Sequence, residues 1–151
     1  MDKQKSISIL QAYATGLAAQ SLQHKVESKI FADQGFSKLG EKYAEHSAEE
    51  SAWVDKFIER IIDLGGVPEV QAAPSMPVFE DVVKYIESDL AVSQREVPVL
   101  MDIVMSLQAD FKTYDILRNY ALDEEEDMLW SETQIALIEK IGLENWLEKQ
   151  V

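Results

Sequence analysis

Cysteine is absent from the 151 residues, which excludes disulfides and thiolate metal sites and suits the cytosol. Glycine (6) and proline (4) are scarce, so long regular elements are favoured over many short strands joined by turns. Basic residues number 14 against 28 acidic ones, for a formal charge of -14. That balance argues against nucleic acid and anionic membranes as partners, because both reward Lys and Arg. It fits the attraction of metal cations, or simple solubility. No stretch approaches the roughly 18 consecutive apolar residues of a membrane span. The start, MDKQKSISILQAY, has no apolar run of signal-peptide length. The expectation is one cytoplasmic domain covering residues 1–151, with 46% apolar residues to build its core.

What is present is helical periodicity. Four long segments emerge: about Ser6 to Asp33, Ser37 to Leu64, Val78 to Gln108 and Phe111 to Ile141, with a short tail helix after Gly142. The second stops at Gly65-Gly66-Val67-Pro68, glycine followed by proline. Pro98 falls inside the third, where it removes a backbone hydrogen bond and should bend the helix. Short connectors make segments one and two, and three and four, antiparallel pairs. The middle connection, about a dozen residues including QAAPSMP, can carry the chain along the bundle. The fold class expected is all-α, a four-helix bundle with one long crossover between helices 2 and 3 and a short fifth helix.

Polar residues interrupt the inward stripes. Helix two reads Tyr43, His46, Ser47, Glu50, Trp53, Val54, Phe57, Ile61, Leu64, and helix four reads Leu117, Ala121, Glu124, Asp127, Met128, Ser131, Ile135, Ile138. Helix one gives Leu10, Tyr13, Ala14, Leu17, Gln20, Ser21, His24, Ser28, Phe31; helix three gives Ile86, Asp89, Leu90, Ser93, Glu96, Val97, Leu100. Glu50 and Glu124 sit midway along their helices. In a core each must meet a metal, a cation, a hydrogen-bond donor or a shared proton, or else tilt out to water. Carboxylate di-metal bundles carry Glu-x-x-His on two helices. The tetrads here are Glu50-Ser-Ala-Trp53 and Glu124-Glu-Glu-Asp127, which keep the glutamates and lack both histidines.

The stretches Asp55-Lys-Phe-Ile-Glu-Arg-Ile-Ile-Asp-Leu-Gly-Gly-Val-Pro68, Ser88-Asp-Leu-Ala91, Asp123-Glu-Glu125 and Glu139-Lys-Ile-Gly-Leu-Glu-Asn-Trp-Leu147 resemble bacterioferritin. They fall on helices two, three, four and the tail helix in that family's order. The resemblance implies a shell of many subunits that stores ferric mineral, a di-iron centre in each bundle that oxidises ferrous iron, and haem between paired subunits. Carried over residue by residue, it puts Leu17 at the helix-one glutamate, Glu50 and Trp53 at Glu-x-x-His, Ser93 at the helix-three glutamate, and Glu124 and Asp127 at the second Glu-x-x-His. Ser51 stands at the haem methionine, so haem bound through the usual axial pair is not expected.

These alignments predict a remnant metal site of Glu50, Glu124 and Asp127, with Trp53 packed into the vacated space and Glu50 held by Glu124 or Asp127 through a shared proton, by water or by one ion. A relocated site of Gln20, His24 and His46 is the second candidate. The leading reading is an iron-storage or iron-binding subunit with a depleted or inactive centre and no assigned catalytic residue. It would assemble alone into dimers and a cage, or mix with active ferritin subunits. The alternatives are a ferroxidase working at an altered site and a metal-free structural bundle.

Overall fold

The computed structural model describes residues 1–151 and is all-helical. Helix α1 spans Lys3–Asp33, α2 Ser37–Asp63, α3 Val82–Met105, α4 Phe111–Ile141 and α5 Leu143–Glu148. The expected bundle with its long crossover and short terminal helix is the one observed. No helix is long and apolar enough to cross a membrane.

Side-chain caps move several boundaries from their expected places. Asp2 accepts from the Lys5 amide at 3.0 Å and starts α1 three residues early. Asp81 accepts from the Lys84 amide at 2.9 Å, so α3 begins at Val82 rather than Val78. A short acidic side chain satisfies an N–H that the first turn cannot. The crossover therefore runs from Leu64 to Asp81, longer than expected. Helix α3 continues through Pro98, whose ring lies on its exposed side. Gly142, at φ 86°, lets the chain leave α4 and enter α5 within a single residue.

The crossover is a strap laid along α1. Gln11 and Glu69 exchange hydrogen bonds of 2.8 and 3.1 Å, Gln23 donates to the Pro77 carbonyl at 2.8 Å, and Gln34 donates to the Glu80 carbonyl at 2.7 Å. These contacts advance along α1 with the chain, so the strap runs parallel to it and delivers α3 to the far end. Helices α1 and α2 approach closely. Ser21 donates to the Ser47 carbonyl at 2.8 Å and Ser47 donates back to the Ser21 carbonyl at 2.7 Å. A Cβ on Gly40 would lie 2.9 Å from the Ser28 carbonyl oxygen.

Two apolar clusters fill the bundle. One contains Leu10, Leu17, Phe57, Ile61, Leu100 and Leu117; the other is mainly aromatic, with Phe31, Tyr43, Tyr85 and Trp146. Between them, about midway along the helices, lies a band of polar side chains that positions the candidate site.

Candidate functional site

The polar band is built from one or two residues of each long helix. Helix α1 contributes Gln20 and His24, α2 contributes His46 and Glu50, α3 contributes Asp89, and α4 contributes Glu124 and Asp127. All lie on the inward stripes of their helices, at the three- and four-residue spacing that keeps side chains on one face.

Glu50 is 2% exposed and both of its oxygens are engaged from α1. Oε1 lies 2.5 Å from Nδ1 of His24, and Oε2 accepts from the Gln20 amide. The other ring nitrogen of His24, Nε2, lies 2.9 Å from Oδ1 of Asp89. One imidazole therefore joins carboxylates of α2 and α3. Burial alone would lower the pKa of His24, but the hydrogen bonds and charges of Asp89 and Glu50 overcome it and raise it to about 10. Burial also pushes Glu50 upward, against the pull of His24 and Gln20. The two groups compete for one proton, and the ring is its better home because it faces two carboxylates while Glu50 faces one imidazole.

His46 behaves in the opposite way. It is 2% exposed, its Nε2 has no hydrogen-bond partner, and the nearest carboxylate oxygen, Oδ1 of Asp127, is 3.6 Å away. Burial, the charge of His24 and that of Lys42 lower its pKa to about 4, so the ring is neutral. On α4, burial and then the neighbouring carboxylates raise Glu124 to about 8 and Asp127 to about 7. Crowded acids that lose water hold protons into the neutral range.

A cavity of about 210 Å³ opens beside this band between α1, α3 and α4. Leu17 and Ser93 lie on its wall together with Gln20, Asp89, Tyr120 and Glu124. Trp53 does not line it. The indole stacks on Phe57, packs against Tyr120 at 5.9 Å between centroids, and donates to Asp123 at 2.8 Å. Its body belongs to the larger apolar cluster, where it gains contact area and keeps its N–H paired.

The two residue sets proposed from sequence are thus interleaved. Glu50 of the first set pairs with Gln20 and His24 of the second, and Asp127 of the first stands nearest His46 of the second. Glu50 takes its hydrogen bonds from α1, where an imidazole and an amide donate, and not from a proton shared with Glu124 or Asp127, one of the three arrangements expected for it. No group of three or more His, Asp and Glu side chains converges as a metal-holding cluster.

Two acids in or beside the site, one part-buried and one buried, escaped the sequence reading. Asp89 stood on the inward stripe of α3 but was given no role; its signal was the buried histidine facing it from α1. Glu27 is fully buried, and its Oε1 accepts from the Phe79 amide of the crossover. It lies three residues after His24 and four before Phe31, the spacing of an inward position.

A sequence model of the ferritin-like domain matches residues 7–141. The bacterial ferritin of Pseudomonas aeruginosa is 34% identical over 149 residues, covering 96% of both chains. That of Synechocystis sp. is 31% identical over 138 residues, 89% of this chain and 88% of the relative. A protein named bacterioferritin in Brucella melitensis is 28% identical over 130 residues, 82% of this chain and 78% of its own. With the bundle, the crossover and the inward carboxylates in place, these matches establish that the chain belongs to the ferritin family.

Proposed function

We propose that this chain is an iron-storage subunit of a ferritin shell whose own iron-oxidising centre is depleted. The observation that carries the reading is the make-up of the cavity wall. At the positions that the resemblance assigns to carboxylates from α1 and α3 stand Leu17 and Ser93, within a chain that matches a bacterial ferritin over 96% of its length.

A two-metal site needs several carboxylate oxygens free to bridge or terminate each ion, with imidazole beside them and open positions for oxygen. Leu17 offers no donor atom, Trp53 directs its N–H to Asp123, and both Glu50 oxygens already accept hydrogen bonds. The residues present do not fit that centre. Glu124 and Asp127, with raised pKa values, are acids left over from such a set rather than a working pair. Iron enters this reading as cargo, drawn by the formal charge of -14 and held by the assembly. Family membership supports self-association, and in this reading the shell can also mix with subunits that carry a complete centre.

The test combines native mass spectrometry with ferrous-iron uptake. The expected result is a large assembly that retains iron, oxidises Fe(II) slowly by itself, and gains speed when assembled with active ferritin subunits. A small assembly without iron retention would overturn the storage reading. Rapid oxygen-dependent oxidation by the pure protein would overturn the depleted centre.

A further inference from the structure

We propose that His24, protonated on both ring nitrogens, is the resident cation of this bundle: it stands between Glu50 and Asp89, balances the buried carboxylates without a metal, and closes Glu50 to divalent ions. The inference deepens the depleted-centre reading above and rests on it.

The geometry carries it. Nδ1 and Nε2 of His24 lie 2.5 and 2.9 Å from oxygens of two different carboxylates, one on α2 and one on α3. An ionised carboxylate only accepts, so both nitrogens must donate, which only an imidazolium does. A neutral ring would turn one lone pair toward a carboxylate oxygen. The His24 side chain is 4% exposed and that of Glu50 is 2% exposed, so water does not screen the pair.

The surroundings favour the cation further. From α1 the ring has Gln20 and Glu27 near it; from α2, Tyr43, His46 and Glu50; from α3, Tyr85 and Asp89; from α4, Glu124 and Asp127. Glu50 and Asp89, both within hydrogen-bond distance of the ring, supply the charge opposite the cation. The rings of Tyr43, His46 and Tyr85 lie 5.5, 5.8 and 6.2 Å from His24 between centroids. The neutrality of His46 is the complement of this arrangement, since the charge of His24 opposes a second one beside it.

An incoming divalent ion would meet three obstacles together. It must displace His24 from Oε1 of Glu50, displace Gln20 from Oε2, and sit beside the charge already there. The clamp therefore substitutes for the metal in balancing charge and at the same time denies it a ligand.

The chain has two histidines, so solid-state ¹⁵N NMR of the full-length, histidine-labelled assembly resolves the question. At neutral pH we expect one ring with both nitrogens protonated and one neutral ring. Added Co²⁺ should leave the doubly protonated ring unbroadened. In a folded His24→Ala variant, Co²⁺ titration should show the gain of a saturable site, lost again when Glu50→Gln is added. Two neutral rings, paramagnetic broadening of the doubly protonated ring in the unmodified protein, or no gain in folded His24→Ala would each overturn the proposal. If His24→Ala fails to fold, the spectra of the unmodified protein decide. Native mass and iron retention test the storage reading separately and do not move the His24 spectrum.

Discussion

Nε2 of His46 stops 3.6 Å from Oδ1 of Asp127, beyond hydrogen-bond reach, and is one of four buried side-chain polar atoms without a partner. Only one turn of helix separates His46 from Glu50, both of whose oxygens are paired from α1. Two histidines packed edge to face thus have opposite protonation, one charged between two acids and one neutral beside one.

His46 makes the protein sensitive to acid. Its folded pKa of about 4 is depressed from 6.5, so the unfolded chain binds its proton first as pH falls. The stability it contributes is complete above pH 6.5 and is lost progressively down to about 4, by up to about 3 kcal/mol. Glu124 and Asp127, whose raised pKa values favour the fold as pH falls, act in the opposite direction over this window, so the test is a comparison of proteins. Between neutral pH and about pH 4 the change in Tm should be more favourable in His46→Leu, which removes the titration, than in the unmodified protein; an equal change in both would refute the assignment.

The alkaline side has the opposite sign. His24 is raised from 6.5 to about 10, so its contribution is complete below 6.5 and disappears as pH rises toward 10. Glu124, raised from 4.5 to about 8, acts in the same direction because ionising it on α4 adds another buried negative charge. Stability should fall between neutral pH and pH 10. Glu124→Gln should remove part of that fall at its lower end, as read by urea midpoints across the range.

Asp110 ties three helices together. It caps α4, accepts from Ser6 of α1 at 2.8 Å and pairs with Arg60 of α2 at 2.7 Å. Asp110→Ala leaves the largely buried Arg60 without its carboxylate and should cost about 3 to 5 kcal/mol in urea unfolding. Asp110→Asn keeps one acceptor oxygen for the cap and for Arg60, and should cost less.

Glu27 fastens the crossover to α1. In Glu27→Ala the Phe79 amide loses its acceptor, with an expected loss of about 1 to 3 kcal/mol. Glu27→Gln retains a carbonyl acceptor and removes a carboxyl that burial already pushes toward its neutral form, so it should be nearly silent. Hydrogen exchange at Phe79 separates the two variants, rising only in the alanine one.

Gly40 sets the approach of α1 and α2. An added methyl would stand 2.9 Å from the backbone oxygen of Ser28, which cannot swing away as a side chain could. Gly40→Ala should destabilise by about 1 to 3 kcal/mol despite the higher helix propensity of alanine. An increase in Tm would show that the helices separate without cost.

The inward stripes written from periodicity agree with burial at Leu10, Leu17, His24, His46, Glu50, Phe57, Ile61 and Leu117, because the helical repeat fixes which side chains share a face. Periodicity missed Glu27 and gave Asp89 no role. The alignment, not periodicity, grouped Glu50 with Glu124 and Asp127 of α4, although its side chain turns to α1. Helix starts shifted at Asp2 and Asp81, which cap the first turns of α1 and α3, but not at Asp110, which caps α4 at its expected start.

The sequence by itself determined the bundle, the long crossover, the family, and the fact that carboxylates and histidines face inward, since all of these follow from local spacing and motifs. Only the tertiary structure decided which of them meet. Partner choice between helices depends on how each rotates and slides against its neighbours, and that is set by contacts far apart in the chain: Ser21 with Ser47, Gly40 against Ser28, and the strap along α1. Those contacts place His24 between Glu50 and Asp89 and leave Nε2 of His46 with no hydrogen-bond partner.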